Sequence, residues 1–405
     1  MSVQIRPISA DQVESFQRSM ALAFGIDPTS EHLQRFNNVF ERDRLRAIFD
    51  RDQIVATFGA LSLRMTVPGN VVPVAGTSVV TVLPTHRRQG LLREMMKGHM
   101  AELRKTGEPL AALWASESSI YGRFGYGPAV ERAVTRLEKS YARFETPADI
   151  RGTMRLLERD EAQQIFPAVY DRVSPRRPGM IARTQNWWTH RVLGDPEFMR
   201  RGATAHRRAL YVRDGRPEGY VIYRSRTDWD QGATEVRVIE LVGTDPEAEK
   251  ALWQYVFGID LVATITHWNQ PPDDPLRWWL EQPRRLDRKI EDALWVRPID
   301  VGRALSERRY AAAGSLRLRI HDTLCPWNDG VWKLEADAKG QAVCRQAEAD
   351  AEIALSPATL GMLYLGGHRA SALAKSGLVT GSPEALARAD ALFTWDPLPW
   401  CPEIF

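Results

Sequence analysis

The hydrophobic pattern is clearest in residues 77–127, where β-branched residues are followed by apolar residues at helical spacing. Residues 79–83 read Val-Val-Thr-Val-Leu, a composition typical of a strand buried on both faces. Beyond Pro84 and a polar turn, apolar residues recur at helical spacing at Leu91, Leu92, Met95, Met96 and Leu103. We therefore predict a strand, a tight turn and a helix that begins within residues 88–90.

The predicted helix is followed by a short apolar stretch and by a segment rich in glycine and aromatic residues. Residues 110–115 read Leu-Ala-Ala-Leu-Trp-Ala, which predicts a second buried strand. Residues 116–127 read SESSIYGRFGYG. Their pattern predicts a short helix that ends among aromatic side chains and glycines.

Strands and helices also alternate toward the N-terminus, as in a mixed α/β protein. The pattern predicts an edge strand, two helices and three antiparallel strands at residues 3–7, 9–24, 30–40, 45–50, 53–65 and 71–74. Residues 130–137 predict a strand that closes this first sheet. The first domain is therefore expected to span residues 1–140.

The same plan restarts near Arg151. Further strands are predicted at residues 153–158, 210–213, 219–225, 236–242 and 261–264. Helices are predicted at residues 160–166, 183–191 and 247–257. The first of these helices is expected to stop at Pro167, because proline lacks the backbone donor that a helix interior needs. This order predicts a second domain of the same plan at residues 141–296.

The last region, residues 297–405, predicts a smaller α/β domain. Strands are expected at residues 315–322, 330–335 and 351–355, and helices at residues 301–309, 357–364 and 383–392. The terminal segment FTWDPLPWCPEIF is apolar and contains three prolines, so we expect it to be docked on the protein rather than disordered. The fold class is thus α/β, with two tandem mixed sheets flanked by helices and a third, smaller domain.

Composition excludes several classes of protein. The 405 residues are 44% apolar and 26% charged with a net charge of +3, which describes a globular protein and gives no bulk attraction for nucleic acid. The three cysteines are widely spaced, which suits a reducing cytoplasm. No apolar run reaches the roughly 20 residues of a membrane span, and no signal-peptide core is present. A cytoplasmic location is expected, with export without a signal peptide left open. The histidines lack ligand spacing, so no metal site is predicted.

The turn before the first predicted helix has the chemistry of an anion site. The N-terminus of a helix exposes unpaired N–H groups, and this one is flanked by Arg87, Arg88 and Arg93. Gly90 has no Cβ, so a diphosphate could lie against the backbone there. His86 in the same turn is expected to position the loop. The alternative interpretation is an ordinary basic surface turn.

These motifs resemble those of one enzyme family. The spacing Arg87-x-x-Gly90-x-Leu92 is similar to the acetyl-CoA pyrophosphate loop of GNAT N-acetyltransferases, in which a small residue usually stands at the position of Leu92. Together, THRRQGLLR and SESSIYGRFGYGPA resemble the enhanced intracellular survival (Eis) family of N-acetyltransferases. The motif LYLGGHRAS resembles the sterol-carrier-protein-like domain that closes Eis chains. The resemblance implies two GNAT-like domains, of which only the first is active, and a homohexamer.

The resemblance also implies acetyl-CoA as the cosubstrate and a primary amine as the acceptor, either an aminoglycoside or a lysine side chain. The residues expected to contact acetyl-CoA are Val80, Thr81, Val82, Arg87, Arg88, Gln89, Gly90, Leu91, Leu92, Arg93, Ser116 and Glu117. Tyr121 is the predicted general acid, because a phenol with a pKa of about 10 stays protonated beside a thiol with a pKa of about 8.5. Tyr126 is its rival.

Eis enzymes are understood to use their own terminal carboxylate as the base, and this chain ends in Phe405. The alternatives are that Phe405 is only a packed anchor, or that Glu403 supplies the carboxylate. Polycationic acceptors favour an acidic pocket, whose candidate residues are Asp27, Glu31, Phe36 and Glu403. In the second copy, residues 243–250 place carboxylates in the cofactor turn, and these would repel a diphosphate. No CoA is expected there.

A competing class is a protein without catalytic activity. In that hypothesis the carrier-like domain binds lipid or a partner, and the acyltransferase fold is vestigial. The cofactor loop, Tyr121 and Phe405 argue against it.

Overall fold

The computed structural model of the protein describes residues 3–147, 150–228 and 232–405. The chain forms two units. The first comprises the chain up to Val130, residues 178–181 and the chain from Asp292 onward, and the second comprises Glu131–Arg177 and Ala182–Glu291. The first unit contains a seven-stranded and a five-stranded sheet, and the second contains another seven-stranded sheet.

Strands and helices alternate along the chain. The strands are β1 Val3–Pro7, β2 Leu45–Asp50, β3 Gln53–Val67, β4 Asn70–Val82, β5 Leu110–Trp114, β6 Gly127–Pro128, β7 Glu131–Glu138, β8 Thr153–Leu156, β9 Arg207–Arg213, β10 Arg216–Asp228, β11 Ala233–Gly243, β12 Thr264–Gln270, β13 Asp287–Asp292, β14 Leu294–Pro298, β15 Gly314–Ile320, β16 Gly330–Ala336, β17 Ala342–Gln346, β18 Ile353–Leu355 and β19 Val379–Gly381. The helices are α1 Val13–Phe24, α2 Ser30–Val39, α3 Leu91–Thr106, α4 Ser118–Tyr121, α5 Arg159–Val173, α6 Gln185–Trp187, α7 Glu197–Arg200, α8 Pro246–Phe257, α9 Leu276–Trp279, α10 Val301–Glu307, α11 Pro357–Tyr364, α12 Ala370–Lys375 and α13 Pro383–Phe393.

The first sheet has the strand order β1-β2-β3-β4-β5-β14-β6. Its strands pair antiparallel except for β4 and β5, which are parallel and are joined through α3. The apolar stripe of α3 packs on this sheet, with Met96, Met100 and Leu103 in one cluster with Ala75 of β4. Burying each such side chain contributes about 1.5–3 kcal/mol. Next to the predicted cofactor turn, Leu91 and Met95 at the start of the helix pack in a second cluster with Leu83.

One prediction about this sheet is wrong. Residues 130–137 do not close it, because β7 pairs with β12 in the sheet of the second unit. Instead β14, which comes more than 150 residues later, pairs with both β5 and β6. The alternating burial of β7 identifies a half-buried strand but does not identify its partner. The division into domains 1–140, 141–296 and 297–405 stays a prediction.

The sheet of the second unit has the order β13-β7-β12-β11-β10-β9-β8, and β11 and β12 pair in parallel. Two predictions fail in this unit. Helix α5 continues through Pro167 to Val173, because Val169 and Tyr170 beyond the proline are buried and their packing offsets the lost backbone hydrogen bond. The strand predicted at 261–264 begins only at Thr264, and Leu261 is 93% exposed.

The five-stranded sheet has the order β17-β16-β15-β18-β19, with helices α10 to α13 from the same part of the chain. The terminal segment is docked as predicted, since Trp400 and Cys401 are buried and the Trp400 N–H donates to Pro178 O at 2.9 Å. The predicted mixed α/β fold class is confirmed.

Candidate active site

The site begins where β4 and β5 separate. Their parallel pairing runs from Val74–Leu110 to Gly76–Ala112, although β4 continues to Val82 and β5 to Trp114. Within the described chain, residues 77–82 therefore have no β5 partner on that side. Unpaired backbone groups on a strand edge can bind an extended ligand as an added strand.

A β-bulge changes the direction of β4 where it separates from β5. The register with β3 changes between the pairs Thr81–Thr57 and Ser78–Gly59. Two residues of β4, Val79 and Val80, therefore lie opposite a single residue of β3. Val79 has a φ of +52°, which is strained for a β-branched residue. Thr57 Oγ1 holds the strained carbonyl by donating to Val79 O at 2.8 Å. Because a bulge increases the local twist, this one turns the predicted pantetheine-binding residues, 80–82, relative to the rest of the strand.

The predicted anion loop ends where it was expected to end, and α3 begins at Leu91. Gly90 has a φ of +82°, and a Cβ added there would meet no atom within 4 Å. Arg88, also at positive φ, and Gln89 are exposed. No backbone acceptor in the described ranges pairs with the N–H groups of residues 88–92. The loop therefore presents a row of free donors at a helix N-terminus.

Replacing Gly90 by alanine is expected to raise the KM for acetyl-CoA. The substitution forces an L-residue into the left-handed region, at a cost of about 1 kcal/mol or more, and places a methyl group in the space where a diphosphate would approach. Gly98→Ala is the matched control, since Gly98 lies inside α3 with no atom near its added Cβ. That variant should keep its KM and gain stability. An unchanged KM in Gly90→Ala would contradict diphosphate binding at this loop.

The basic side chains of the loop are exposed, and hydrogen bonds hold the start of the loop to the neighbouring strands. Arg87 is exposed and its Nε donates to Val82 O at 3.3 Å. His86 is held between Thr85 Oγ1, at 2.8 Å, and Asp50 Oδ2, at 3.4 Å. These contacts tie the turn to β2, as expected for a histidine that positions the loop.

Tyr121 lies at the end of α4, beyond β5, and is 7% exposed. Burial raises the pKa of the Tyr121 phenol, and a hydrogen bond with the side chain of Ser116 opposes that rise. The phenol is therefore protonated at neutral pH. Ser116 and Glu117, which are separated from the end of β5 by one residue, are exposed.

The rival phenol has a different environment. Tyr126 is 0% exposed and its hydroxyl lies 2.9 Å from Thr77 Oγ1. Thr77 Oγ1 also lies 2.9 Å from His99 Nε2. Burial lowers the pKa of His99 to about 3, so this histidine is neutral. The Tyr126 hydroxyl is thus engaged in a buried polar network, which the sequence analysis did not find because its three members lie on different elements.

The C-terminal residue lies at the point where β4 and β5 separate. A Cβ built on Gly76 would lie 3.1 Å from Phe405 Cε2 and 2.6 Å from Leu63 Cδ1. Gly76 thus leaves the space that the Phe405 ring occupies. The sequence analysis missed this glycine, although a glycine inside a β-branched strand is itself a signal of close approach.

The candidate acceptor-binding residues have varied environments. Asp27 and Glu31 are exposed, near the start of α2. Phe36 is 8% exposed and stacks on Phe40 at a centroid distance of 4.4 Å. Both rings line a cavity of about 280 Å³ between α1, α2 and β2. Glu403 is buried close to the C-terminus.

The corresponding turn of the second unit is already capped. Asp245 is the N-cap of α8 and accepts from the Ala248 N–H at 2.9 Å. Arg213 pairs with Asp245 at 2.5 Å and with Glu247 at 2.9 Å. The absence of CoA binding at this second turn stays a prediction, and the capping supports it.

Comparison with known proteins assigns each region. Residues 4–129 match the family profile described as an acetyltransferase (GNAT) domain, and residues 179–298 match a second profile with the same description. Residues 301–402 match the sterol carrier protein domain. The predicted order of two GNAT-like domains and a carrier-like domain is confirmed.

Relatives that match most or all of the chain are also N-acetyltransferases. An uncharacterized N-acetyltransferase of Streptomyces avermitilis is 37% identical over 413 residues, 100% of both chains. The N-acetyltransferase Eis of Mycobacterium tuberculosis is 38% identical over 348 residues, 83% of this chain and 82% of that protein. The crystal structure of Eis1 from Mycobacterium abscessus has a TM-score of 0.86 at 29% identity over 99% of this chain and 100% of that chain. A GCN5-related N-acetyltransferase from Anabaena variabilis, 18% identical over the full length of both chains, shares the fold with a TM-score of 0.88.

The fold, and the separated strands beside a basic helix N-terminus, define the protein as an N-acetyltransferase of the GNAT class. The GNAT fold implies that the protein uses acetyl-CoA. Within that class, the chain belongs to the Eis family of N-acetyltransferases. No cluster of metal-ligating side chains is found in residues 3–147, 150–228 and 232–405. Over those same ranges, no helix is both long and apolar enough to cross a bilayer.

Proposed function

We propose that the protein transfers the acetyl group of acetyl-CoA to a primary amine, with Tyr121 as general acid and the terminal carboxylate of Phe405 as general base. The observation that carries this proposal is the position of the Phe405 ring against Gly76, where β4 and β5 separate. The chain end therefore lies beside the gap that the cosubstrate is proposed to occupy, which supports a role for its carboxylate.

The cofactor-binding role rests on two features. The free N–H groups of residues 88–92 and the exposed Arg87, Arg88 and Arg93 suit a diphosphate. The unpaired edge at residues 80–82 suits the amides of a pantetheine arm, and a main-chain N–H such as that of Val82, aimed at the thioester oxygen, can lower the barrier by about 3–4 kcal/mol. Ser116 and Glu117 would line the arm from the side of β5.

The chemistry requires two proton transfers. As the amine nitrogen bonds to the acetyl carbon, the carbon–sulfur bond breaks and the thiolate takes the phenolic proton of Tyr121. The attacking nitrogen, which carries a positive charge in the tetrahedral intermediate, gives its extra proton to the carboxylate of Phe405, which passes it to water. Tyr121 regains its proton from solvent after the thiol has left. An α-carboxyl has a pKa of only about 3.5 in solution, and a site shielded from water would raise it toward a more effective base.

The acceptor is proposed to be an aminoglycoside or a lysine side chain. The exposed carboxylates of Asp27 and Glu31 would attract a polycationic amine, and the buried Glu403 is proposed as a further acidic residue of the pocket. Phe36 would contribute an apolar wall. The relationship to the N-acetyltransferase Eis supports an amine as the acceptor of this chain.

The test is an acetyl-transfer assay over a panel of amines, with the released thiol as the readout. We expect turnover of aminoglycosides or lysine-containing peptides and none of alcohols of similar size. Release of thiol only at the rate of uncatalysed hydrolysis, over the whole panel, would contradict the proposal. A thermal shift with CoA but none with a fatty acid would separate it from a lipid-binding function.

We also propose that the chain assembles as a homohexamer, on the strength of the family relationship, and that it is cytoplasmic, because its three widely spaced cysteines suit a reducing compartment. Light scattering after size exclusion would give about six times the chain mass of 45.9 kDa. A monomer mass would contradict this assembly.

A further inference from the structure

A fully buried arginine lies behind residues 122–127, the segment that follows Tyr121. Arg297 in β14 is 0% exposed. Its Nη2 donates to the two carboxylate oxygens of Asp322, at 3.0 and 2.9 Å, and lies 2.8 Å from Cys325 Sγ. Asp322 and Cys325 both follow β15, so the carrier-like domain supplies the counter-charge of this arginine.

The other edge of the guanidinium faces the active-site loop. Arg297 Nε and Nη1 are buried and have no hydrogen-bond partner among the described residues. A Cβ built on Gly125 would lie only 1.7 Å from Nη1. Gly125 also has a φ of +84°. The loop therefore closes directly on Arg297, and no side chain fits between them.

The carrier-like domain holds the loop at a second point. A Cβ on Gly127 would lie 1.9 Å from Ala358 O, and one on Gly125 would lie 3.2 Å from Pro357 Cβ. Both partners belong to α11. Residues 125–127 are thus held between β14 and a helix of the C-terminal domain, with no room for the loop to shift toward either.

Short contacts connect this clamped loop to the proposed acid. The Tyr126 N–H donates to Tyr121 O at 3.3 Å, and the Gly125 N–H donates to Gly122 O at 3.0 Å. The rings of Tyr121 and Tyr126 lie 6.2 Å apart, edge to face, and Tyr126 is fixed to β4 through Thr77. A displacement of Gly125 would therefore move the ring of Tyr121 relative to the strand that is proposed to bind the thioester.

We propose that Arg297 is a positioning residue for acetyl transfer: held by Asp322 and Cys325, it supports Gly125 and fixes Tyr121 against the departing thiolate. The inference rests on Tyr121 being the general acid. It gives the carrier-like domain a part in catalysis that does not involve carrying a lipid.

The first test compares Arg297→Met with Arg308→Met. Arg308 is also fully buried, but it donates to the carbonyls of Tyr364 and Phe393 within the C-terminal domain. Arg297→Met is expected to lower kcat by about 100-fold, the effect of a displacement of about 1 Å at a reacting group. Its KM for acetyl-CoA should stay within about threefold. Arg308→Met should lose thermal stability and keep kcat. Equal losses of kcat in the two variants would mean that Arg297 is only structural.

The second test is a double-mutant cycle with Tyr121→Phe, run with both Arg297→Met and Arg297→Lys, so that a variant that retains the charge is available if the methionine variant does not fold. If Arg297 acts through Tyr121, either change should cost less than about threefold when the phenol is already absent. Arg297→Lys should lose less activity than Arg297→Met in the wild-type background. Full additivity would overturn the inference while leaving Tyr121 as the acid. Wild-type activity in Tyr121→Phe would instead contradict the proposed function itself.

Discussion

Replacing Tyr121 by phenylalanine is expected to lower kcat by about 100- to 10,000-fold, the contribution of a positioned general acid. The phenol is buried and its pKa is raised, so it holds a proton that the leaving thiolate can take. The KM for acetyl-CoA should change little, because the donors of the loop at residues 88–92 remain. Steady-state kinetics of thiol release and calorimetric titration with CoA measure the two effects separately.

Tyr126→Phe is the matched control. It removes the hydroxyl that contacts Thr77 in a fully buried site, and the loss should cost about 1 kcal/mol of the free energy of unfolding. Its kcat should fall far less than that of Tyr121→Phe. The opposite order, with the large loss at Tyr126, would assign the acid to Tyr126 and contradict the proposed mechanism.

Adding residues after Phe405 is expected to lower kcat by at least about 100-fold while CoA still binds. The extension turns the terminal carboxylate into a peptide group, at the residue whose ring packs against Gly76. A short tag at the C-terminus is sufficient for the experiment. Turnover is measured by thiol release, and binding is measured by calorimetry.

The same tag at the N-terminus is the control and should leave kcat unchanged. Phe405→Leu, which keeps the carboxylate on a smaller side chain, should lose less activity than the extended chain. Undiminished turnover of the extended chain would refute a role for the terminal carboxylate, and Glu403→Gln would then test the alternative base.

The sequence was sufficient wherever a pattern is local. The start of α3 at Leu91 follows from the turn composition and from the apolar spacing that comes after it. The docked terminal segment follows from its apolar, proline-rich composition. The family relationship follows from two long motifs, and the comparisons confirm it.

Long-range features could not be read in this way. The exchange of β7 and β14 between sheets depends on pairings across more than 100 residues, and strand periodicity carries no information about partners. Pro167 was expected to end a helix because the packing of Val169 and Tyr170 was unknown. The supports of the candidate site, among them Gly76, His99 and Arg297, come from separate elements and show no common spacing in the sequence.

The late position of β14 has a consequence for biosynthesis. During translation, β5 leaves the ribosome roughly 180 residues before the strand that covers its edge. At a synthesis rate of about 5–20 residues per second, the nascent first sheet waits about 9–36 seconds with that edge open, a state in which foreign strands can attach. Early binding of chaperones should therefore matter more for this chain than for a chain whose sheets are built from strands that are consecutive in the sequence.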